Sequence, residues 1–386
     1  MPKLIRITTA PISLNVLLPG QMRYMREHGF DVLMVSSDGP ELKTVLEREG
    51  CRHHIIPMTR KMTPLGDLRC LWLLYRLFRK EKPDMVHSHT PKAGLLAMLA
   101  AKMAGVKLRL HTVAGLRYVT TKGFGRQVLI TMEKITGWAA THVWPNSFSM
   151  MRFMLENKLV AAGKTEVIGQ GSSNGVNLSR YNPDRLLPEK TEAIKQKIQY
   201  DPSLFYFLSV GRIVHDKGMD ELLLAFARVY DKYPKARLLL LGAFEDEVDP
   251  VSARARELIQ THPGVIHAGW SNEVEYYMHI AQALVHPSHR EGFPNVLLQA
   301  GALGCPVLCS RIDGNIDIVE DGHTGLIFTV KNEDELYARM EWALTHPLEI
   351  KQLASNLRLR VQTHYDQPVV AEQLRQKYLS LLPAPR

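Results

Sequence analysis

Short apolar runs alternate with segments of helical period along the whole chain. Apolar runs of this length are typical of strands that are buried on both sides of a parallel sheet. In the first half the predicted strands are residues 4–8, 31–36, 53–57, 84–87, 108–113 and 142–145. In the second half they are residues 205–210, 236–241, 265–267, 283–286, 306–309 and 325–329. The alternation predicts an α/β fold with helices on both faces of each sheet.

The alternation of strands and helices starts afresh near residue 205, after a proline-bearing connection at residues 182–188. We therefore predict two doubly wound domains, at residues 1–187 and 188–365. A last helical segment follows within residues 366–386. In such sheets ligands bind at the carboxyl ends of the strands, so a site is expected in a cleft where the two domains face each other.

The segment from Thr63 to Lys80 has its own amphipathic pattern. Thr63 suits a helix N-cap and Pro64 the first helical position. The helical period predicts one apolar stripe, which consists of Leu68, Leu71, Trp72, Tyr75 and Phe78. The basic residues Arg69, Arg76, Arg79 and Lys80 lie mostly outside this stripe. Two interpretations stay open: a sheet-covering helix with a solvated basic face, or a helix that contacts an anionic membrane surface.

Charge is distributed unevenly along the 386 residues, whose net charge is +9. Residues 1–185 contain 27 Lys and Arg against 13 Asp and Glu, whereas the remainder contains 21 against 26. A basic first half suits an anionic lipid surface or a phosphorylated substrate. Nucleic acid is the weakest candidate partner, because the chain has no helix-turn-helix, RNP or zinc-finger pattern.

Compartment is predicted from the cysteines and from the apolar segments. The four cysteines, Cys51, Cys70, Cys305 and Cys309, lack Cys-x-x-Cys spacing, so we predict core thiols in a reducing, cytoplasmic setting. The chain has neither an apolar run long enough to span a membrane nor the apolar core of a signal peptide at its start.

The most informative stretch is Glu291-Gly-Phe-Pro-Asn-Val-Leu-Leu-Gln299. It lies between an apolar run and a helix-like run, so a strand, a turn with an acid and a helix start are predicted in that order. A helix start offers free N–H groups and positive dipole charge, which suit an anion such as a diphosphate. An acid does not bind an anion of the same charge, so we expect it to bind hydroxyl groups beside the anion, as on a sugar.

A second polar stretch, Val210-Gly-Arg-Ile-Val-His-Asp-Lys-Gly218, follows the first strand of the second half and precedes a predicted helix at residues 219–233. Arg212 and Lys217 would both stand near a strand's carboxyl end. Two cations there could neutralise a diphosphate as it leaves, where negative charge develops in the transition state. The alternative is a loop of solvated charges.

Histidines follow two strands of the first half, in the stretches 87–94 and 111–117. Such histidines can act as acid, base or hydrogen-bond donor, although a lone histidine is more often structural. The first strand is not followed by Gly-x-Gly-x-x-Gly, which argues against a dinucleotide cofactor, and there is no Walker A sequence. The acidic loop at residues 245–249 is interpreted as solvated, not as a metal site.

Together these stretches resemble the retaining GT-B-fold glycosyltransferases of family 4, over nearly the full length. The marks are Gly211-Arg212-x4-Lys217-Gly218, the Glu291 segment, Gly314 with the stretch 320–328 after it, and the stretch 173–177 near the predicted linker. The resemblance implies two Rossmann-like domains, the first binding the acceptor and the second the nucleotide sugar. The last helix would return to the first domain.

The resemblance also implies roles for individual residues. Arg212 and Lys217 would bind the donor diphosphate, and Glu291 would contact sugar hydroxyls. His111 would lie near the transferred sugar, and a loop around Ser13 would close on the diphosphate. The remaining donor-binding positions would be Gly211, Gly292, Phe293, Pro294, Asn295 and Gln299, with no metal and no cofactor.

Two departures from the family pattern concern the donor. The family's second Glu, which binds the ribose hydroxyls, is Gln299 here. An amide offers one acceptor where a carboxylate accepts from both hydroxyls, so binding is expected to weaken by about 1 kcal/mol. The loop around Ser13 also lacks the paired glycines of many members.

The function implied is transfer of a sugar, for example an N-acetylhexosamine, from a UDP-sugar to a polyprenyl-diphosphate-linked saccharide in bacterial surface polysaccharide synthesis. The enzyme would be cytoplasmic and peripheral on the inner face of the cell membrane. Two alternatives remain: a UDP-sugar 2-epimerase of the same architecture, and a non-catalytic sugar-binding scaffold.

Overall fold

The computed structural model describes residues 1–59, 61–115, 123–247 and 249–383. All twelve predicted strands are present, with ends that differ from the prediction by at most two residues. They are β1 (Lys3–Ile7), β2 (Asp31–Ser36), β3 (Arg52–Ile55), β4 (Met85–His89), β5 (Leu108–Val113), β6 (His142–Pro145), β7 (Phe205–Val210), β8 (Ala236–Leu241), β9 (Val265–Gly269), β10 (Ala283–His286), β11 (Val307–Ser310) and β12 (Leu326–Phe328).

Helices occupy most of the connections between these strands, as the alternation predicted. They are α1 (Pro11–Leu17), α2 (Gln21–Glu27), α3 (Leu42–Glu49), α4 (Pro64–Glu81), α5 (Pro91–Met103), α6 (Gly123–Ala139), α7 (Phe148–Glu156), α8 (Pro188–Lys197), α9 (Met219–Lys232), α10 (Ala253–Thr261), α11 (Val274–Ile280), α12 (Asn295–Leu303), α13 (Asn315–Ile318), α14 (Glu333–Thr345), α15 (Pro347–His364) and α16 (Gln367–Leu381). Within the described ranges, every helix is too short or too polar to cross a bilayer.

The chain divides into two compact units. The first unit comprises Met1–Asn174 together with Gln367–Arg386, and the second comprises Gly175–Asp366. The first contains a parallel sheet of order β3-β2-β1-β4-β5-β6, and the second a parallel sheet of order β12-β11-β10-β7-β8-β9. Each order reverses once, beside β1 in the first sheet and beside β7 in the second, as in doubly wound folds.

The inner strands of each sheet are buried on both faces, whereas the edge strands β3 and β9 are more exposed. In the first unit one core contains Leu74 and Ala97, from α4 and α5, and the other contains Met22 and Tyr378, from α2 and α16. The second unit likewise has one core on each face of its sheet. All four cysteines are buried free thiols, as predicted.

Helix α4 begins at Pro64 as predicted, but only part of its predicted stripe faces the core: Phe78 is buried, and Leu71 and Tyr75 are partly buried. The buried residues are Cys70, Leu74, Leu77 and Phe78, whereas Leu68 and Trp72 are 62% and 53% exposed. Apolar residues surround much of this helix, so more than one stripe fits the helical period. Packing on α5 and the sheet selects the stripe that is buried. The exposed Leu65, Leu68 and Trp72 are called the α4 outer face below.

Helix α16 is attached to the first sheet by a buried polar cluster. The hydroxyl of Tyr378 accepts from Nη1 of Arg6 (2.5 Å) and pairs with Nδ1 of His87. Arg6 also donates to Gln21, and Nε2 of His87 pairs with the hydroxyl of Thr112 (2.7 Å). Burial raises the pKa of Tyr378 to about 12, so its hydroxyl stays protonated. The last helix is therefore fixed by side chains from β1 and β4, and Thr112 of β5 orients the ring of His87.

Replacing Tyr378 by Phe should lower the free energy of unfolding by about 2 kcal/mol, because the buried side chains of Arg6 and His87 each lose their hydrogen bond to the tyrosine hydroxyl. Tyr337→Phe is the matched control, since its hydroxyl bonds Glu341 near solvent (2.9 Å) and water can replace it. Urea unfolding of both variants measures the difference. Equal losses would contradict a structural role for the buried cluster.

Candidate functional site

The two chemistry-bearing stretches of the second unit meet at the reversal point of its sheet. Strands β7 and β10 are hydrogen-bonded neighbours, with Ala283 opposite Phe207. Gly211 and Arg212 follow β7 directly, and Glu291 lies in the turn between β10 and α12. The predicted order of strand, acidic turn and helix start is confirmed. The carboxyl ends of these strands are where doubly wound sheets bind ligands.

Three glycines allow these loops to approach one another. Gly218 has a φ of +69°, and a Cβ there would lie 2.1 Å from the carbonyl oxygen of Pro287. A Cβ on Gly314 would lie 2.5 Å from the carbonyl oxygen of Gly292. A Cβ on Gly242 would meet the carbonyl oxygen of Gly211 at 1.7 Å. The backbone contacts thus join the segments that the sequence analysis singled out.

Lys217 and Glu291 form an ion pair between the two loops. Their side chains are only 20% and 17% exposed. Nε2 of the buried His286 lies 3.2 Å from Oε1 of Glu291. Burial favours the neutral acid, but His286 and Lys217 outweigh burial and lower the pKa of Glu291 to about 2. Glu291 is therefore an ionised hydrogen-bond acceptor at neutral pH and not a proton donor.

Further polar contacts join the turn after β10 to the loop after β7 and to the start of α9. Nε2 of His289 lies 3.0 Å from Oε1 of Glu221, and Nε of Arg290 lies 2.7 Å from Oδ2 of Asp216. The backbone N–H of His289 donates to the carbonyl oxygen of Asp216 (2.9 Å). The two residues before Glu291 are thus fixed to Asp216 and to the start of α9.

Arg212 has a different partner from Lys217. Its Nη1 donates to Oε2 of Glu245 at 2.5 Å, and both side chains are close to half exposed. The acidic loop therefore neutralises Arg212, and its Asp249 accepts from the backbone N–H of Asp216 (2.7 Å). Val248 of that loop lies outside the described residues. Within the described ranges, no cluster of three or more His, Cys, Asp or Glu is arranged to hold a metal ion.

Helix α12 presents a mixed set of the predicted donor-binding residues. Phe293 is buried against Tyr365, with ring centroids 5.6 Å apart, so its side chain belongs to the core. Pro294 is buried as well and is the N-cap. Asn295 and Gln299 are half-buried and one helical turn apart, so they share a face of the helix.

In the first unit, His111 lies in β5 and is 3% exposed. Its Nδ1 is 2.9 Å from Oγ of Ser88, and that hydroxyl lies 3.4 Å from the carbonyl oxygen of Leu110. A hydroxyl that donates to Leu110 accepts from Nδ1–H, which leaves Nε2 as an acceptor. Burial lowers the pKa of His111 to about 4, so the ring is neutral at pH 7. Gly94 provides the space for this ring, since a Cβ there would lie 2.4 Å from Cε1.

The other predicted residues of the first unit have more ordinary surroundings. Both ring nitrogens of His87 are used inside the protein, and burial lowers its pKa well below the usual value. Ser13 lies in the first turn of α1 and not in a loop, because Pro11 suits a helix start. Leu116 and Arg117, from the predicted stretch 111–117, lie outside the described residues, as do residues 384–386.

Sequence reasoning missed His286, His289 and Glu221. The signal for His286 was available, because it is the one polar residue in the otherwise apolar run 283–286 and directly precedes the acidic turn. His289 and Glu221 gave no such signal, since their pairing depends on β7 and β10 being neighbours.

Two family models match the chain. The model described as glycosyl transferase 4-like domain matches residues 16–171, and the model described as glycosyl transferases group 1 matches residues 190–360. CapM of Staphylococcus aureus, a capsular polysaccharide biosynthesis glycosyltransferase, is 34% identical over 95% of this chain and 94% of its own. The chain is therefore a glycosyltransferase.

Two more distant comparisons agree. An Escherichia coli UDP-Gal:alpha-D-GlcNAc-diphosphoundecaprenol alpha-1,3-galactosyltransferase is 26% identical over 85% of this chain and 86% of its own. Anabaena HepE, solved in complex with UDP, has a TM-score of 0.81 at 18% identity and matches 99% of this chain and 100% of its own. The chain belongs to the family 4 glycosyltransferases, and its fold is of the GT-B type.

Gly218→Ala should destabilise the protein by at least about 2 kcal/mol more than Gly322→Ala. Both positions have nearly the same φ, +69° and +71°, so alanine strains the backbone equally. Only at Gly218 does the added methyl meet a carbonyl oxygen, whereas nothing lies within 4 Å at Gly322. Thermal unfolding compares the two variants, and equal losses would show that the contact with Pro287 is unimportant.

Proposed function

We propose that this glycosyltransferase moves a sugar from a UDP-sugar to a polyprenyl-diphosphate-linked saccharide, with retention of anomeric configuration, in bacterial surface polysaccharide synthesis. The contact of Lys217 with Glu291 at the sheet reversal carries the proposal, because it joins a phosphate-binding cation to a sugar-binding acid. The names of relatives support the substrates: the Escherichia coli relative is named for a UDP-sugar and a diphosphoundecaprenol acceptor, and HepE was solved with UDP.

In this proposal Lys217 serves the diphosphate without leaving Glu291. An ammonium has three N–H donors, and its bond to Glu291 uses one of them. The other two remain for phosphate oxygens, where negative charge grows as the glycosidic bond breaks. The N-terminus of α12 adds positive dipole charge beside the same turn.

Glu291 would accept hydrogen bonds from hydroxyls of the donor sugar. Its lowered pKa keeps it ionised, so both oxygens accept and neither donates. The pair with Lys217 also fixes its direction before the donor arrives, which reduces the ordering that binding requires. Backbone N–H groups of Gly292, Phe293 and Asn295 would surround the sugar and phosphate, since the side chain of Phe293 is occupied in the core and Pro294 has no N–H.

Arg212 would exchange Glu245 for the diphosphate. A pair in which both side chains are close to half exposed contributes little to stability, so breaking it is inexpensive. The acceptor hydroxyl would attack on the face from which the diphosphate leaves, and the leaving phosphate would take its proton. No protein nucleophile and no metal ion is needed on this path, because Arg212, Lys217 and the helix start supply the positive charge.

We assign the acceptor to the first unit, with His111 near the transferred sugar. Its neutral ring, with Nε2 as an acceptor, suits contact with a sugar hydroxyl. The α4 outer face supports contact with an anionic membrane, because exposed Leu65, Leu68 and Trp72 are accompanied by exposed Arg69 and Arg76. The enzyme would then act as a peripheral protein on the cytoplasmic side of the membrane.

A thermal-shift screen of nucleotide sugars tests the donor, since the correct one raises the melting temperature by mass action. An NMR time course with that donor follows, with and without a lipid-linked acceptor. Transfer only with acceptor, and with retained configuration, supports the proposal. Conversion of the donor without acceptor would identify a 2-epimerase, and absence of any nucleotide binding would favour a sugar-binding scaffold.

Lys217→Ala should lower turnover by roughly 100- to 1000-fold, because a donor to the developing phosphate charge is lost. The fold should persist, since His286 still faces Glu291. Lys232→Ala is the control, because Lys232 is an exposed lysine of the same unit that pairs with Glu341. Initial rates at saturating donor, with melting temperatures for both variants, measure the effect; turnover near that of the control would exclude the role.

Gln299→Glu should strengthen UDP binding by about 1 kcal/mol, or roughly fivefold in Kd, because a carboxylate accepts from both ribose hydroxyls. Isothermal titration with UDP measures the change. Gln352→Glu, at an exposed site on α15, controls for the added charge. Unchanged or weaker UDP binding in Gln299→Glu would show that Gln299 does not face the ribose.

A further inference from the structure

A groove of about 610 Å³ lies in the first unit at the C-terminal end of α6. This is the end of the sheet where the strands begin, opposite their carboxyl ends. It is called the Trp138 groove here, and it is lined by Lys134, Trp138, Leu155, Lys158, Leu159 and Lys164. No carboxylate is among its lining residues. The groove is therefore concave, apolar at its base and positively charged, and neither the donor nor the acceptor assignment uses it.

Two cations near the groove have internal roles. Nζ of Lys164 donates to the carbonyl oxygens of Gly137 (3.4 Å), Trp138 (3.3 Å) and Ala140 (2.9 Å). Nε of Arg109 donates to the carbonyl oxygen of Ala139 (2.7 Å). These bonds satisfy the last carbonyls of α6 and offset the negative end of its dipole. The C-terminus of α6 therefore needs no further positive charge for its own stability.

Two more lysines, Lys134 and Lys158, nevertheless line the groove, and Lys102 lies beside it over the ring of Trp138. Lys102, Lys134 and Lys158 are exposed, and within the described ranges none of them has an ion-pair partner. Nζ of Lys102 lies 3.2 Å from the ring centroid of Trp138. The pKa of Lys164 is lowered, first by burial and then by repulsion from the charges of Lys102 and Arg109. A bound anion would relieve this repulsion.

The rim of the groove is apolar as well as basic. Trp138 is 60% exposed and Met103, next to Lys102, is 62% exposed. Ile135 is three residues from Trp138, so both side chains project from the same side of α6. Tryptophan beside lysines is the composition that proteins place at the boundary between lipid headgroups and water. This rim favours a lipid over a small dissolved anion.

We propose that the Trp138 groove binds the phosphate headgroup of an anionic phospholipid in a membrane surface. Lys134 and Lys158 donate to the phosphate, and Trp138 lies among the headgroups. The groove is a second contact, on different helices from the α4 outer face. It rests on the membrane association in the proposed function and not on the catalytic assignments.

Cosedimentation of the full chain with phosphatidylcholine vesicles, with and without about 30% phosphatidylglycerol, tests the proposal. The double variant Lys134→Ala/Lys158→Ala should bind the anionic vesicles about 25-fold more weakly, at roughly fivefold per lysine. The control Lys331→Ala/Lys351→Ala removes two exposed lysines of the second unit and should bind like wild type. Equal binding by the groove variant and this control would overturn the proposal.

Tryptophan fluorescence tests the position of Trp138. In a Trp72→Phe background, brominated lipids in the anionic vesicles should quench fluorescence more strongly than after the further change Trp138→Phe. Equal quenching would remove Trp138 from the interface.

Two further experiments, one with a soluble phosphate compound and one on enzyme activity, distinguish the remaining outcomes. If the groove variant loses thermal stabilisation by glycerol phosphate but keeps vesicle binding, the groove is a site for free phosphate and the lipid proposal fails. With a water-soluble acceptor the groove variant should keep wild-type turnover. Loss of vesicle binding with turnover retained therefore supports the groove, whatever the donor and acceptor prove to be.

Discussion

The backbone contact between the loops after β7 and β10 is the constraint on which the second-unit site depends. Gly218 lies against the carbonyl of Pro287 without room for a side-chain atom. Lys217 precedes that glycine and Glu291 follows that proline by four residues, so loop packing brings the two charges together. The ion pair itself contributes little net stability, because its attraction offsets desolvation of two largely buried groups. Loop packing therefore positions Lys217 and Glu291, and their pairing is not needed to hold the loops together.

Much of the fold could be predicted because buried parallel strands leave a clear trace in sequence. Most of the strands carry a short apolar run, and the position of each was found to within two residues. The buried face of α4 could be predicted only in part, because apolar residues surround that helix and only its neighbours choose among the stripes. The partner of Lys217 was also hidden, since Glu291 lies far along the chain and meets it only when β7 and β10 pair.

The two candidate histidines of the first unit, His87 and His111, differ in their hydrogen bonds and not in their position in the sheet. His87 and His111 both lie in central strands, and both are neutral through burial. Tyr378 and Thr112 use both nitrogens of His87, which makes it structural. Ser88 uses only one nitrogen of His111, which leaves the other available. The residue roles and the domain boundaries predicted from the sequence stay predictions, but this difference gives a physical reason to distinguish the two rings.

The attachment of α16 has a consequence for the order in which the protein matures on the ribosome. The chain leaves the first unit after Asn174 and returns to it at Gln367, and Val176 donates to the carbonyl oxygen of Tyr365 (2.7 Å) beside this return. The whole second unit is thus synthesised before Tyr378 exists. Until then Arg6 and His87 lack their buried partner, so the first-made part of the polypeptide is among the last to reach its final packing. During most of translation, the sheet face that α16 later covers would remain exposed on the nascent chain, and exposed apolar surface of this kind is what chaperones bind.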